Sequence, residues 1–336
     1  MMAALKECLF YEKASDNSVQ CRLCPRQCFI KEGKRGDCKV RENQQGTLYS
    51  LVYARPCSIA IDPVEKKPLY HFLPGSSVYS IGTAGCNLHC SFCQNWQTSQ
   101  AYPEDIESYY MSPENIVDDA ISKGCHAIAY TYNEPIIFYE YVLDCAGLAR
   151  KKGLKNIVVC NGFINQEPLK GWCKYIDAAN IDLKSFSDDF YKKITGAWLN
   201  PVLETIKTLK KEGVWLELTN LLIPGLNDNP EEIRKMCEWI RDNVGSETPI
   251  HFSAFHPSYK LDAPQTPQKT LLKAREAAER AGLKYIYLGN IPGLDNNTYC
   301  PACRELVIER SWFNVEKNNL QDSRCINKHH IDGIWN

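Results

Sequence analysis

The chain has 336 residues, 44% of them hydrophobic, which is enough apolar material to bury one large core and leave small appendages. Lys and Arg number 39 against 40 Asp and Glu, giving a formal net charge of −1, so no nucleic-acid partner is expected. The N-terminal segment lacks the apolar core of a signal peptide and no stretch of about 18 apolar residues occurs, so we expect a soluble cytoplasmic protein without a membrane partner.

Seventeen cysteines are unusual for such a protein, because a reducing cytosol disfavours disulfides and leaves metal binding or burial as the alternatives. Ten of them fall into three groups along the chain. The groups are Cys21, Cys24, Cys28 and Cys38; Cys86, Cys90 and Cys93; and Cys300, Cys303 and Cys325.

The first group supplies four thiolates on a segment that contains Pro25, Gly33 and Gly36, a composition suited to wrapping around a metal. Four soft ligands suit either zinc, which would staple the fold, or an auxiliary iron–sulfur cluster. The spacing of the cysteines does not distinguish zinc from an iron–sulfur cluster, and zinc is slightly favoured.

From Ser77 onward, short apolar runs alternate with amphipathic helical stretches, the pattern of βα units and a parallel sheet. Ser112-Pro113 and Asn229-Pro230 predict helix starts, and Gly153, Gly213 and Gly282 predict helix ends. The predicted strands cover residues 78–82, 127–131, 156–160, 179–183, 214–222, 251–255 and 284–288.

Six or seven such units are too few for a closed eight-fold barrel, which takes about 250 residues. We therefore expect an α/β fold with a partial (β/α)6 barrel of the TIM type, and small Cys-rich extensions at both ends. The predicted domains are a metal-binding extension over 1–50, the barrel over 51–298 and a zinc-ribbon-like extension over 299–336.

The second cysteine group follows the first predicted barrel strand, at the carboxyl edge where α/β folds bind ligands. Three cysteines spaced x3 and x2 can bind three irons of a [4Fe–4S] cluster and leave the fourth open. An incomplete zinc site is the alternative, which the absence of a fourth local ligand disfavours. With Phe92 before Cys93, the motif resembles the signature of the radical S-adenosylmethionine (SAM) superfamily.

The resemblance implies that Cys86, Cys90 and Cys93 hold the cluster and act through it in catalysis. In that superfamily the open iron chelates SAM, an electron from an outside reductant such as flavodoxin or ferredoxin cleaves it, and the 5′-deoxyadenosyl radical abstracts hydrogen from a substrate. The cofactors would be the [4Fe–4S] cluster and SAM.

Other segments at predicted strand ends resemble parts of the superfamily's SAM pocket. Asn133 and Glu134 lie where relatives carry a Gly-Gly-Glu-like motif, although Tyr132 and Asn133 replace the glycines and Glu134 could instead cap the next helix. Asp182 and Lys184 resemble the Asp-Leu-Lys segment of glycyl-radical-enzyme activases, the alternative being a structural ion pair.

Asn161 and His256 follow the third and sixth predicted strands and resemble further SAM-contacting segments. A lone histidine at a strand end is about as often structural as it is a ligand contact. Asn161 and His256 therefore complete the set of expected cofactor-binding residues. The sequence evidence for them is weaker than the evidence for the cysteines.

The C-terminal group reads as half of a zinc knuckle, Cys300 and Cys303, completed by Cys325 and His329 or His330. Lys328 stands where the family pattern has its last cysteine, so a histidine must substitute or the site is incomplete. A zinc site completed by a histidine and an incomplete site without zinc are therefore both left open.

Residues 54–63 and 223–228 resemble one pyruvate formate-lyase-activase-like branch, the AmmeMemoRadiSam system radical SAM enzymes. This implies AmmeMemo-type partner proteins and a small-molecule or protein substrate of unknown identity. Two alternatives stay open: an activase of a glycyl radical enzyme, and a non-catalytic iron–sulfur or zinc scaffold, which would leave Glu134, Asp182 and Lys184 unexplained.

Overall fold

A computed structural model of the chain describes residues 5–336. Its centre is an eight-stranded sheet in which every strand pairs with its neighbour in sequence. The strands are β7 (Ser58–Pro63), β8 (Ser77–Gly82), β9 (Ala127–Tyr130), β10 (Lys155–Cys160), β11 (Ala178–Asp182), β12 (Trp215–Leu222), β13 (Ile250–Ala254) and β14 (Ile286–Gly289).

Strands β8 to β14 run parallel, whereas β7 pairs antiparallel with β8 at one edge. The end strands β7 and β14 do not pair with each other in the described chain, so the barrel is open. The predicted partial barrel is confirmed. All seven predicted strands lie within two residues of observed ones, and β7 is the strand that the sequence pattern did not predict.

Helices cover the outside of the sheet, and α7 with α8, and α2 with α3, pack side by side. They are α1 (Trp96–Ser99), α2 (Pro113–Ser122), α3 (Tyr139–Lys151), α4 (Gln166–Cys173), α5 (Asp188–Phe190), α6 (Leu199–Lys211), α7 (Pro230–Val244) and α8 (Gln268–Arg280). Short 3-10 helices occur at Val64–Lys66, Pro103–Asp105 and Pro135–Phe138, and one π-helical turn occurs at Tyr191–Thr195. No helix within residues 5–336 is long and apolar enough to cross a bilayer.

The predicted helix boundaries are also confirmed. The Ser112 hydroxyl accepts the Asn115 N–H at the start of α2, and the Asn229 side chain accepts N–H groups at the start of α7. Helices α3, α6 and α8 each end within two residues of a glycine with positive φ, namely Gly153, Gly213 and Gly282.

Two small antiparallel units flank the barrel. The N-terminal unit has β1 (Lys6–Glu7), β2 (Tyr11–Lys13), β3 (Val19–Cys21), β4 (Phe29–Ile30), β5 (Arg41–Gln44) and β6 (Thr47–Ser50). The C-terminal unit has β15 (Thr298–Tyr299), β16 (Leu306–Ser311) and β17 (Asn314–Asn318). The domain boundaries at residues 50 and 298 stay a prediction, and residues 1–4 of the first segment lie outside the described residues.

Candidate active site

The central cysteines lie on the loop between β8 and α1, at the carboxyl edge of the parallel sheet. Gly85 opens this loop with φ +94°, and a Cβ there would lie 2.7 Å from the Cys38 carbonyl oxygen and 2.5 Å from a Val40 methyl carbon. Farther along, the His89 N–H donates to the Thr195 carbonyl at 2.8 Å. The loop is therefore fixed between the N-terminal unit and the segment after α5.

Cys86, Cys90 and Cys93 line one cavity of about 320 Å³. Two of their sulfurs already have polar neighbours: Cys86 Sγ accepts the Leu88 N–H at 3.4 Å, and Cys93 Sγ lies 3.2 Å from Ser99 Oγ. Burial raises the pKa of the Cys90 thiol to about 12, an effect that the nearby Lys184 charge opposes. Bound iron would replace these protons, because metals bind the thiolate form.

These residues fit an iron–sulfur cluster. Three thiols share one cavity, and the space beside them is of the size that holds small ligands and cofactors in proteins, about 300 Å³ or more. A cluster bound there through three cysteines would keep one iron free for a further ligand.

Five of the six residues predicted to contact SAM line the same cavity; they are Asn133, Glu134, Asn161, Asp182 and Lys184. His256 is not among the lining residues: its side chain is exposed and its Nε2 lies 3.2 Å from the Asn290 carbonyl oxygen. Asn290 itself lines the cavity. The roles of all six residues stay predictions.

Glu134 lines the cavity and also caps the turn that follows it, the alternative role that its sequence position allowed. One carboxylate oxygen caps the turn Pro135–Phe138 by accepting the Ile136 N–H at 3.0 Å, and the other accepts the Asn161 N–H at 2.9 Å. Burial raises the pKa of Glu134 to about 8, against the lowering effect of these two N–H donors. A cationic ligand in the cavity would stabilise its charged form.

Asp182 and Lys184 form an ion pair on the cavity wall, with Lys184 Nζ 3.0 Å from Asp182 Oδ2. Lys184 Nζ also lies 5.6 Å from the centre of the Phe92 ring. Burial opposes the charged form of Lys184, but the charges of Asp182 and Cys90 raise its pKa well above the usual value. A fixed positive charge therefore faces the thiols.

The far side of the cavity contains residues that the sequence analysis did not single out. Thr219, His251 and Tyr287 extend from β12, β13 and β14. His251 Nε2 lies 2.7 Å from the fully buried Glu217. Burial raises the pKa of Glu217, but hydrogen bonds and neighbouring charges, those of His251 foremost, together hold it below its usual value. A signal was present in the sequence, since Glu217 and His251 are ionisable residues within two predicted strands.

The C-terminal unit also reaches the cavity. Trp312 and Phe313, on the turn between β16 and β17, line its open side. Trp312 is 60% exposed, so a large aromatic surface is available at the cavity mouth. No local sequence pattern places this turn there.

The terminal cysteine groups lie apart from this cavity. Cys21, Cys24, Cys28 and Cys38 line a smaller cavity together with Arg41. In the C-terminal group, the ligand atoms of Cys300, Cys303, Cys325 and His329 all lie within 4.8 Å of one another. The latter geometry suits a single tetrahedral ion.

The family sequence model described as "Radical SAM superfamily" matches residues 80–240, which include the three central cysteines and every predicted SAM contact except His256. "Pyruvate formate-lyase 1-activating enzyme" of Escherichia coli is 23% identical over 223 residues, which is 60% of this chain and 89% of that protein. This chain belongs to the radical SAM superfamily. It is an enzyme of the radical SAM class and resembles the pyruvate formate-lyase-activase branch.

Two further comparisons bear on the extent of the similarity and on the fold. "Uncharacterized protein MJ0808" of Methanocaldococcus jannaschii is 50% identical over 325 residues, covering 96% of this chain and 97% of that one. A radical SAM methyltransferase from Sphaerobacter thermophilus shares the fold with a TM-score of 0.52 at 15% identity, over 69% of this chain and 71% of its own. Membership of the superfamily implies SAM, an iron–sulfur cluster and a reductant.

Proposed function

We propose that this enzyme reductively cleaves SAM at a [4Fe–4S] cluster held by Cys86, Cys90 and Cys93. The proposal rests on the observation that these three thiols share one cavity of about 320 Å³ with polar and charged residues. Those residues lie at the carboxyl ends of β9, β10 and β11. The bound cluster and SAM would supply a 5′-deoxyadenosyl radical, which abstracts hydrogen from a substrate.

The protein's own residues would orient SAM and keep water out. The SAM ammonium group fits the Asn133–Glu134 side of the cavity, because the Glu134 carboxylate is buried and gains from a cationic partner. The SAM carboxylate fits the Lys184 side, where the positive charge is fixed by Asp182. His256 is the weakest of the six proposed contacts because its side chain lies outside the lining.

The substrate would enter from the side that Trp312 and Phe313 flank. We propose a cytoplasmic enzyme that draws its electron from flavodoxin or ferredoxin and works with AmmeMemo-type partner proteins, as its branch resemblance implies. Zinc at Cys300, Cys303, Cys325 and His329 would hold the C-terminal unit in place.

Activation of a glycyl radical enzyme is a second candidate. It is favoured by the similarity to "Pyruvate formate-lyase 1-activating enzyme" and to the "4-hydroxyphenylacetate decarboxylase activating enzyme" of Clostridium scatologenes, which is 28% identical over 132 residues, 38% of this chain and 41% of that one. Formation of a glycyl radical on a partner protein would distinguish this function from hydrogen abstraction on a small molecule.

SAM binding at an open iron can be tested by electron paramagnetic resonance of the anaerobically reduced protein. We expect SAM to change the component of the signal that is lost in Cys90→Ala, since only a cluster with a free iron can bind SAM. Cys173→Ala, which alters a half-buried cysteine at the end of α4, is the matched control and should respond like the wild type. A signal insensitive to SAM would favour the iron–sulfur scaffold.

Lys184→Met tests whether the Asp182–Lys184 pair serves SAM or only the fold. We expect SAM cleavage per cluster to fall by about tenfold to a hundredfold with iron content unchanged, because the variant removes the positive charge facing Cys90 and leaves Asp182 unpaired. The rate of 5′-deoxyadenosine formation measures this.

The control for Lys184→Met is Lys192→Met, which breaks an exposed pair with Asp188 outside the cavity lining and should leave the rate unchanged. A Lys184→Met enzyme with a wild-type rate and reduced stability would assign the pair a structural role.

A further inference from the structure

The four N-terminal cysteines converge although the first and the last lie 17 positions apart in the chain. The Cys21 N–H donates to the Cys28 carbonyl at 3.0 Å where β3 and β4 pair, and this holds the two residues side by side. Cys21, Cys24 and Cys38 are buried, and all four thiols line one cavity. Gly36 closes this cavity, since a Cβ there would lie 3.7 Å from Cys28 Sγ.

The separation of these thiols differs from that of a single-ion site. Four ligands around zinc at about 2.3 Å lie only about 4 Å from each other. The C-terminal group meets this condition, with all its ligand atoms within 4.8 Å and Cys303 Sγ 3.7 Å from Cys325 Sγ. Among the described residues, no three thiols of the N-terminal group come within 4.8 Å of one another.

The three central thiols also do not come within 4.8 Å of one another. Each thiolate of a [4Fe–4S] cluster binds a different iron, so these ligands lie farther apart than ligands that share one ion. By this criterion the N-terminal group is like the central motif and unlike the C-terminal group.

A buried cation completes the N-terminal site. Arg41 is 1% exposed and lines the cavity, and its Nη2 pairs with Glu140 at 2.9 Å. Its Nε is buried without a hydrogen-bond partner, which is costly unless an acceptor is supplied. An anionic cluster offers sulfur acceptors and negative charge at this point.

The site also lies directly behind the central loop. Asn87, which follows Cys86, lines the N-terminal cavity, and its Oδ1 accepts the Asn161 Nδ2 at 2.8 Å. The same Asn161 Nδ2 lies 3.9 Å from Cys86 Sγ. Two hydrogen-bonded residues, Asn87 and Asn161, thus link the N-terminal cavity to Cys86.

We propose that Cys21, Cys24, Cys28 and Cys38 bind a second [4Fe–4S] cluster, with Arg41 Nε as a hydrogen-bond donor to its sulfur. This departs from the zinc that the sequence slightly favoured. It does not rest on the proposed function, because the second cluster requires neither SAM nor turnover.

The test is metal analysis of Cys86→Ala/Cys90→Ala/Cys93→Ala, purified without oxygen from cells supplied with both iron and zinc. We expect this variant to keep about four irons and about one zinc per chain, and to show the visible absorption and reduced paramagnetic signal of an iron–sulfur cluster. About two zincs and no iron would overturn the proposal. Loss of SAM cleavage is expected either way, so failure here is distinct from failure of the proposed function.

Cys21→Ala/Cys24→Ala provides the reciprocal measurement should the triple variant fold poorly. We expect iron to fall from about eight to about four atoms per chain while zinc stays constant. Unchanged iron with loss of about one zinc would contradict the proposal. Cys173→Ala, which belongs to no group, controls for loss of a cysteine and should keep all the iron.

Arg41→Lys in the triple variant tests the hydrogen bond. Lysine keeps a positive charge against Glu140 but lacks the Nε donor, so the cluster's midpoint potential should become more negative. An unchanged potential in a variant with full iron content would remove Arg41 from the assignment.

Discussion

Arg41→Met is expected to lower the free energy of unfolding by about 3–5 kcal/mol. Arg41 and Glu140 are 2% and 1% exposed in their side chains and 2.9 Å apart, so removing the cation leaves an unpaired carboxylate in the core. The guanidinium also donates to the Leu9 carbonyl at 2.8 Å. Denaturant unfolding under anaerobic conditions measures the loss.

The double variant Arg41→Met/Glu140→Leu separates this effect from simple packing. It replaces both charges with apolar groups, and it should recover most of the lost stability because buried ion pairs are often replaceable as a unit. Arg234→Met, which breaks exposed pairs with Glu231 and Glu238 on one helix, is the surface control, with an expected loss of about 1 kcal/mol or less. An Arg41→Met loss no larger than the Arg234→Met loss would refute the buried-pair account.

The ion pair between Arg41 and Glu140 could not be predicted from the sequence. The two residues are 99 positions apart, and neither belongs to a sequence motif that indicates its partner. Their pairing results from packing of the N-terminal unit against α3. The same applies to Trp312 and Phe313, which reach the cavity only through the fold of the C-terminal unit.

Local patterns, in contrast, were sufficient for much of the barrel. Strands buried on both faces form continuous apolar runs, and Ser112 and Asn229 cap helices through contacts within three residues. Strand β7 escaped prediction because it is an antiparallel edge strand with partly exposed residues such as Ile61, which is 48% exposed.

The parts of the candidate site that could be predicted are those whose reactive or metal-binding residues lie in short sequence motifs. The spacing of Cys86, Cys90 and Cys93 brought all three to one cavity, and strand-end residues joined them because carboxyl ends of parallel strands meet at one edge. His256 follows the same rule yet does not line the cavity, since a position after a strand end does not fix the side-chain direction. The separation of the thiols in the N-terminal group likewise depends on backbone geometry that spacing does not encode.

The most direct test of the account is 5′-deoxyadenosine formation from SAM by the reconstituted, dithionite-reduced enzyme, compared with Cys90→Ala. We expect steady product from the wild type and from Cys173→Ala, and a rate at least about a thousandfold lower from Cys90→Ala, because loss of the central cluster removes the open iron at which SAM would be cleaved. Absence of product from wild-type protein with a full iron content would contradict SAM cleavage and leave a cluster-binding scaffold.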